Sequence, residues 1–367
     1  DGVSGQNFTN TWAPKDDGNS TYITWQPTGV HQSGCMFSAS SVALNGNQSQ
    51  RVSCSSPACS CAIINRGVDA TGFAFDHATK LEGYLFAQLP TNSSDGAASV
   101  TVELVDESVR GNCTGDTSCP VLAGQTVPLS PTTPGRWQRL NFSLSGITGT
   151  TRCKNGSGVG PSFVRFVGQF GGGNPGYFPV EGHMYEEDVC LTCTGSVRVR
   201  VESKAGATVL LDQFFLSPAN VYGGDVKRLP ARLDVGKTME DAWQALRFGG
   251  GTADGTTYRW KQWRGPRWLR PPMANRAYAW HTNGFMAFET LELAERLGLN
   301  ETVIDLNEHE HSQDCADFVE YAYGPTTSPM GALRKQDGRA EPYRPFRVEL
   351  GNEEGISPEF VANVARC

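Results

Sequence analysis

At 367 residues the chain is too long for one ordinary core and suits about two domains, each of roughly 100–200 residues. A formal charge of −7 and the lack of a Lys/Arg run argue against a nucleic-acid partner, which has to be gripped through its phosphates. No stretch approaches the ~20 apolar residues that span a bilayer, so neutral or small ligands are the expected partners.

Residues 1–19 read as a lead-in segment with no signal-peptide character; a signal peptide, if one existed, has been removed. From 20 to 218 the texture is that of short strands broken by Gly, Pro, Asn and Ser clusters. "LEGYLFAQL", "ASVTVELVD", "RWQRLNFSLSG", "SFVRFVGQF", "SVRVRVES" and "TVLLDQFFLSP" alternate with the period of two expected when one face is buried. Strands at such spacing predict a β-sandwich of jelly-roll type.

The same region carries the marks of an oxidising compartment. Sequons begin at Asn7, Asn19, Asn47, Asn92, Asn112, Asn141, Asn155 and Asn300, and seven of these eight lie before residue 160. Most of the eleven cysteines are also in the first two hundred residues, as in an extracellular, glycosylated domain stapled by disulfides. Zinc is the rival reading for Cys59-x-Cys61 and Cys190-x-x-Cys193, but no histidine stands at ligand spacing, so no metal is expected. An odd cysteine count leaves at least one thiol free or paired to another chain, and Cys367 is the expected one.

Residues 219–367 change character. "GFMAFETLELAERLGL" has helical spacing, "SPMGALRKQDG" and "GISPEFVANVA" are loop and helix material, and the apolar runs "ALRF", "TVIDLN" and "FRVELGN" lie between such segments. This βαβα alternation predicts a parallel sheet or barrel. Functional side chains of such folds gather at the C-terminal strand ends. Those ends here are Gly249 to Thr252, Asn307 with Glu308, and Asn352 with Glu353, whereas Glu354 reads as a solvated loop charge.

In order and with similar spacing, "LLDQFFLSP", "LRFGGG", "YRWKQWRGPRWLRP", "WHTNGFMAFETLELAERLG", "DCADFVEYAYGPTTSPMGALRKQDGRAEPY" and "VELGNEEG" resemble the α-L-arabinofuranosidases of glycoside hydrolase family 51. The earlier strands resemble the carbohydrate-binding-module-like sandwich inserted in longer members. The resemblance implies a sandwich over 20–218 followed by an incomplete (β/α)8 barrel over 219–367, truncated after about strand four. It implies a retaining hydrolase that releases terminal α-L-arabinofuranosyl groups from polysaccharides or glycoproteins and needs no cofactor. Glu353 maps onto the general acid/base and Asn352 onto the residue that hydrogen-bonds the sugar 2-hydroxyl. Asn307, Thr252, Trp280 and Glu289 are carried over as substrate-binding positions, with Glu289 expected to position loops.

Several positions depart from the family pattern. Gly249 replaces a Pro, an exchange expected to loosen its loop. Met286 and Phe288 replace a Gly and an Asp. Glu308, His309, Glu310 and His311 form an unusual run, expected to be a solvated loop because no third metal ligand is placed by sequence. Trp260, Trp263, Trp268 and Trp280 form either a sugar-stacking platform or core packing. A retaining enzyme needs a second carboxyl about 5–5.5 Å from the first, and the family's nucleophile lies far beyond the Gly-Asn-Glu motif. A second polypeptide, the C-terminal half of a precursor, is therefore expected to complete the barrel, with Cys367 a candidate tether; an incompletely sequenced chain is the alternative. The competing functional reading is a non-catalytic secreted carbohydrate-binding or matrix glycoprotein.

Overall fold

The computed structural model describes residues 25–28, 34–55, 59–65, 73–75, 80–91, 98–105, 120–130, 134–147, 193–218, 244–249, 259–272, 283–353 and 355–367. The expected strand "SFVRFVGQF" lies outside them.

Eleven of the described strands build two antiparallel sheets. They are β1 (Gln26–Thr28), β2 (Cys35–Ser40), β3 (Ser49–Cys54), β4 (Cys59–Asn65), β5 (Phe73–Phe75), β6 (Leu81–Gln88), β7 (Ala98–Val105), β8 (Val121–Pro128), β9 (Gln138–Leu144), β10 (Cys193–Ser203) and β11 (Ala207–Pro218). One sheet runs β1-β4-β10-β7-β8, with β5 also on β10; the other runs β2-β3-β11-β6-β9. Alternation decides which side chains face inward. Val100, Val102 and Leu104 of β7, and Val197, Val199 and Val201 of β10, meet Leu81, Leu85 and Ala87 of β6 and Leu140, Phe142 and Leu144 of β9 in one core. Disulfides reinforce it: Cys35–Cys61 ties β2 to β4 across the two sheets, and Cys54–Cys59 ties β3 to β4. The sulfurs of Cys54, Cys59 and Cys61 lie close enough together to suggest a metal cluster, but all three are oxidised. Oxidised sulfur is not the thiolate that ligates zinc.

The second sheet is parallel, ordered β12 (Ala245–Phe248), β13 (Glu301–Leu306), β14 (Arg347–Leu350). Helices α1 (Ala287–Leu297), α2 (Ser312–Tyr323), α3 (Pro329–Gln336) and α4 (Pro358–Arg366) accompany it. Their ends follow local chemistry. Ser328 and Ser357 cap α3 and α4 ahead of a proline in the first turn, where the missing N–H costs nothing. Gly298 closes α1 in the left-handed conformation, φ +69°. Phe248, Ile304, Leu306 and Leu350 point toward the helices and share a core with Trp260, Trp263, Phe288, Phe318 and Tyr321.

The two units meet through β6. Its core-facing residues alternate as expected, but Tyr84 and Phe86 on the other face are also buried. Trp268 from the turn Arg267–Leu269 packs edge-on to Tyr84, and the Arg139 guanidinium lies 4.3 Å from both ring centres. Beside this joint the Asn45 amide donates to the carbonyl of Arg270. Trp260 and Trp263 are fully buried, so core packing is what these two do, and Trp268 is a docking anchor. Trp280 lies outside the described residues.

The expected intermolecular tether is overturned. Cys367, at the end of α4, is bonded within the chain to Cys315 in the first turn of α2, their Cα atoms 5.4 Å apart. Peptide mapping without reduction is expected to recover Cys315 and Cys367 as one linked pair. Cys315→Ser is expected to lower unfolding stability by about 4 kcal/mol, the loop-closure value for a cross-link of this span, read from denaturant melts.

Candidate active site at the mouth of the parallel sheet

The alternation that sends Phe248, Ile304 and Leu350 toward the helices sends Arg247, Asp305 and Glu349 to the opposite face. Arg247 is the centre of that face. Its Nε and Nη2 donate to Glu349 at 2.6 and 2.8 Å, Nη2 also donates to Asn352 Oδ1 at 3.0 Å, and Asp305 Oδ2 lies 3.9 Å away. The hydrogen bond from Arg247 holds the Glu349 carboxyl below its ordinary range. One guanidinium thus spans from β12 to the far strand and fixes the residue immediately before Glu353.

β14 ends sharply. Gly351 (φ +75°) donates its N–H to the Leu306 carbonyl at 2.9 Å, and Glu353 is itself left-handed at φ +55°. A non-glycine residue in that region costs on the order of 1–2 kcal/mol, and such strain gathers at functional sites. Glu353 is exposed at the strand mouth, and Asn352 is half-buried beside it.

The other expected site residues divide. Asn307 is fully buried at the end of β13, and its Oδ1 accepts the backbone N–H of His309 at 2.8 Å, which shapes the strand-end turn. Glu289 faces Arg270 in a buried bidentate pair, 2.7 and 3.0 Å, and accepts the Met286 N–H at the start of α1. It ties the start of α1 to Arg270 beside the joint. Thr252 lies outside the described residues. Of the sequon residues, Asn47, Asn141 and Asn300 are exposed, while Asn7, Asn19, Asn92, Asn112 and Asn155 lie outside the described residues.

The run from Glu308 to His311 corrects the expectation of a solvated loop. Glu308 and Glu310 are both buried. Glu308 pairs with His309 Nε2 at 3.1 Å, and the Asn363 amide of α4 lies 3.4 Å from His309 Nδ1. Glu310 Oε1 accepts the N–H of Trp260 at 2.9 Å, capping the start of the turn Trp260–Trp263. Burial pushes the Glu310 carboxyl up to about 7 from an ordinary 4.5, against the opposing pull of that N–H. Two other departures have packing reasons. Phe288 stacks on Tyr343 and packs on Trp260, Phe318 and Tyr321 in the helix-side core. Gly249 has φ +140°, and a Cβ there would lie 2.1 Å from Asp305 Cβ. The position is a close approach rather than a loosened loop.

Arg247 is the residue that sequence reasoning missed. It stands in "LRFGGG", yet its role depends on Asn352 and Glu349, a hundred residues on. Its one available signal was a charge within a four-residue strand otherwise apolar.

Against this geometry stand the likenesses to known proteins. Residues 239–363, which include all three parallel strands, match the family described as "Alpha-L-arabinofuranosidase 1 domain". An intracellular exo-α-L-arabinofuranosidase of Bacteroides ovatus is 28% identical over 200 residues, covering 48% of this chain and 38% of that protein. The chain is related to the family 51 α-L-arabinofuranosidases. An extracellular enzyme of Streptomyces chartreusis is 28% identical over 218 residues, 49% of this chain and 26% of its own length. The α-L-arabinofuranosidase 1 of Arabidopsis thaliana is 26% identical over 178 residues, 43% and 26% respectively. The solved structure of an arabinose-bound family 51 α-L-arabinofuranosidase superposes with a TM-score of 0.64 at 18% identity, over 93% of this chain and 50% of that one, a likeness of fold. The matched regions span between a quarter and two-fifths of these curated relatives.

Two outcomes follow from the site. Gly249→Ala is expected to destabilise the protein by at least about 2 kcal/mol, since it combines a left-handed φ with a backbone-adjacent clash, measured by thermal unfolding. For Glu310 the folded carboxyl binds its proton more tightly than the unfolded one. Its stabilising effect is therefore complete below pH ~4.5 and is lost as pH rises through about 7. The stability of the parent relative to Glu310→Gln is expected to fall by up to about 3 kcal/mol across that window, measured by denaturant melts at stepped pH.

Proposed function

We propose that the chain is the N-terminal part of a retaining glycosidase that releases terminal α-L-arabinofuranosyl groups, with Glu353 as general acid/base and Asn352 as the partner of the sugar 2-hydroxyl. The observation that carries this reading is the grip of Arg247 on Asn352, which sets an Asn-Glu pair at the C-terminal mouth of a parallel sheet. A carboxyl there protonates the glycosidic oxygen as the C–O bond breaks, and its carboxylate then takes a proton from the attacking water. A hydrogen bond to the 2-hydroxyl that tightens as positive charge develops on the sugar adds differential binding.

The three parallel strands are read as strands two to four of a (β/α)8 barrel, residues 219–367, preceded by a sandwich over 20–218. Fold similarity to a family 51 enzyme supports this division. The nucleophilic carboxyl then comes from residues outside those described, the C-terminal half of the precursor or a second chain. Both carboxyl oxygens of Glu349 are taken up by Arg247 and Asp305 is fully buried, so neither is read as the nucleophile. The sequons and the disulfides of the sandwich support a secreted, glycosylated protein acting on arabinose-containing carbohydrate. The departures that favoured a non-catalytic glycoprotein, Gly249, Phe288 and Glu308 to His311, have packing and hydrogen-bonding reasons and do not speak against chemistry.

The test is hydrolysis of an aryl α-L-arabinofuranoside by the protein assembled with its C-terminal half. Glu353→Gln is expected to cut turnover by about a hundredfold or more while shifting stability by no more than about 0.5 kcal/mol, since residue 353 is exposed. Unchanged turnover in that variant, or none in the parent, overturns the assignment.

A further inference from the structure

Away from the strand mouth, the outer face of the β2-β3-β11-β6-β9 sheet carries a hollow of about 410 Å³, within the range of roughly 300–1,000 Å³ typical of small-molecule sites. Its construction follows from register. Asn141 on the edge strand β9 pairs with Tyr84 on β6, and Tyr84 pairs with Phe215 on β11, so the three lie in one row on the outward face. Tyr84 and Phe215 stack with ring centres 5.3 Å apart. One residue along, Gly83 pairs with Phe142 on the inward row, where a Cβ would come within 2.6 Å of the Phe142 ring, so only its backbone borders the hollow. Phe215, Glu82, Gln125 and Arg139 are among the residues that line it.

Asn141 is the wall residue that gives the hollow an occupant. It is exposed, it begins the sequon Asn141-Phe142-Ser143, and its neighbour across the strand pair is an aromatic ring. We propose that Asn141 carries an N-linked glycan whose first sugars fold back into this hollow, laying their C–H face on the Phe215 ring and their hydroxyls against Glu82 and Arg139. Adjacent strands stand ~4.8 Å apart, so Tyr84 lies one strand and Phe215 two strands, about 10 Å, from Asn141, a span for the first two sugars. The covalent tether supplies an effective concentration that a weak aromatic–sugar contact lacks for a free saccharide. The docked glycan covers the flank of the Tyr84–Arg139–Trp268 joint and so braces the two units against each other. The inference rests on the secreted reading given above but not on Glu353 or on catalysis.

The test uses the whole chain expressed in a secreting host that attaches N-glycans, with each site followed by glycopeptide mass. A glycan-releasing amidase is applied to folded and to denatured protein. Release from Asn141 is expected to be at least roughly tenfold slower than from Asn300 in the folded protein, as a docking equilibrium of about ten to one requires, and equal to it after denaturation. Asn141→Gln is expected to lower the melting temperature, whereas Ser143→Thr, which keeps the sequon, leaves it unchanged. Asn141 unmodified while other sequons are occupied, or a glycan there released as fast as that on Asn300, overturns the proposal. Native-source material with no glycan at any sequon overturns the secreted reading together with it.

Discussion

The strand mouth depends on one guanidinium. Arg247 enters from β12, passes over β13 beside Asp305, and ends on Glu349 and Asn352 of the far strand. Three parallel strands place their side chains in layers, but layering alone does not orient the residues that follow the last hydrogen bond. A planar fork with donors in fixed geometry does, because two of its bonds set direction while its charge holds a carboxylate on the same face. Gly249 belongs to the same device. Only a residue without a Cβ lets the chain leave β12 against Asp305 with that carboxylate still facing Arg247.

The sandwich is best understood as a brace. β6 is buried on both faces, one against the sandwich core and one under Trp268, and this makes it the shared wall of the two units. Arg139 between Tyr84 and Trp268 adds cation–π attraction in a place where water is already largely excluded. Arg270, a little further along, donates to Glu289, Asn283 and Gly265 while its carbonyl accepts from Asn45. The start of α1 is thereby tied to the sandwich through one side chain and one peptide group.

Buried acids do structural work around the site. Glu289 and Glu310 each accept a backbone N–H that helix or turn geometry leaves without a partner. The sequence offered Glu289 through a family resemblance and Glu310 only as part of a solvated run. Their burial and their partners show what they hold in place.

Read alone, the sequence determined the strands and helices with the strongest periodicity, from "ASVTVELVD" at β7 to "GFMAFETLELAERLGL" at α1, and it named Asn352 and Glu353 at the end of β14. Periodicity is a local property, and so is a capping serine followed by proline, which is why both survive in one dimension. Tertiary structure decided that Cys367 pairs with Cys315, that Trp260 and Trp263 are core while Trp268 joins two units, that Glu308 and Glu310 are buried, and that Arg247 governs Asn352. The disulfide joins residues 52 positions apart, the Glu310–Trp260 bond 50 and the Arg247–Asn352 bond 105. Hydropathy cannot distinguish a charged side chain facing water from one facing its partner, because the energy that separates the two cases exists only once the chain has folded.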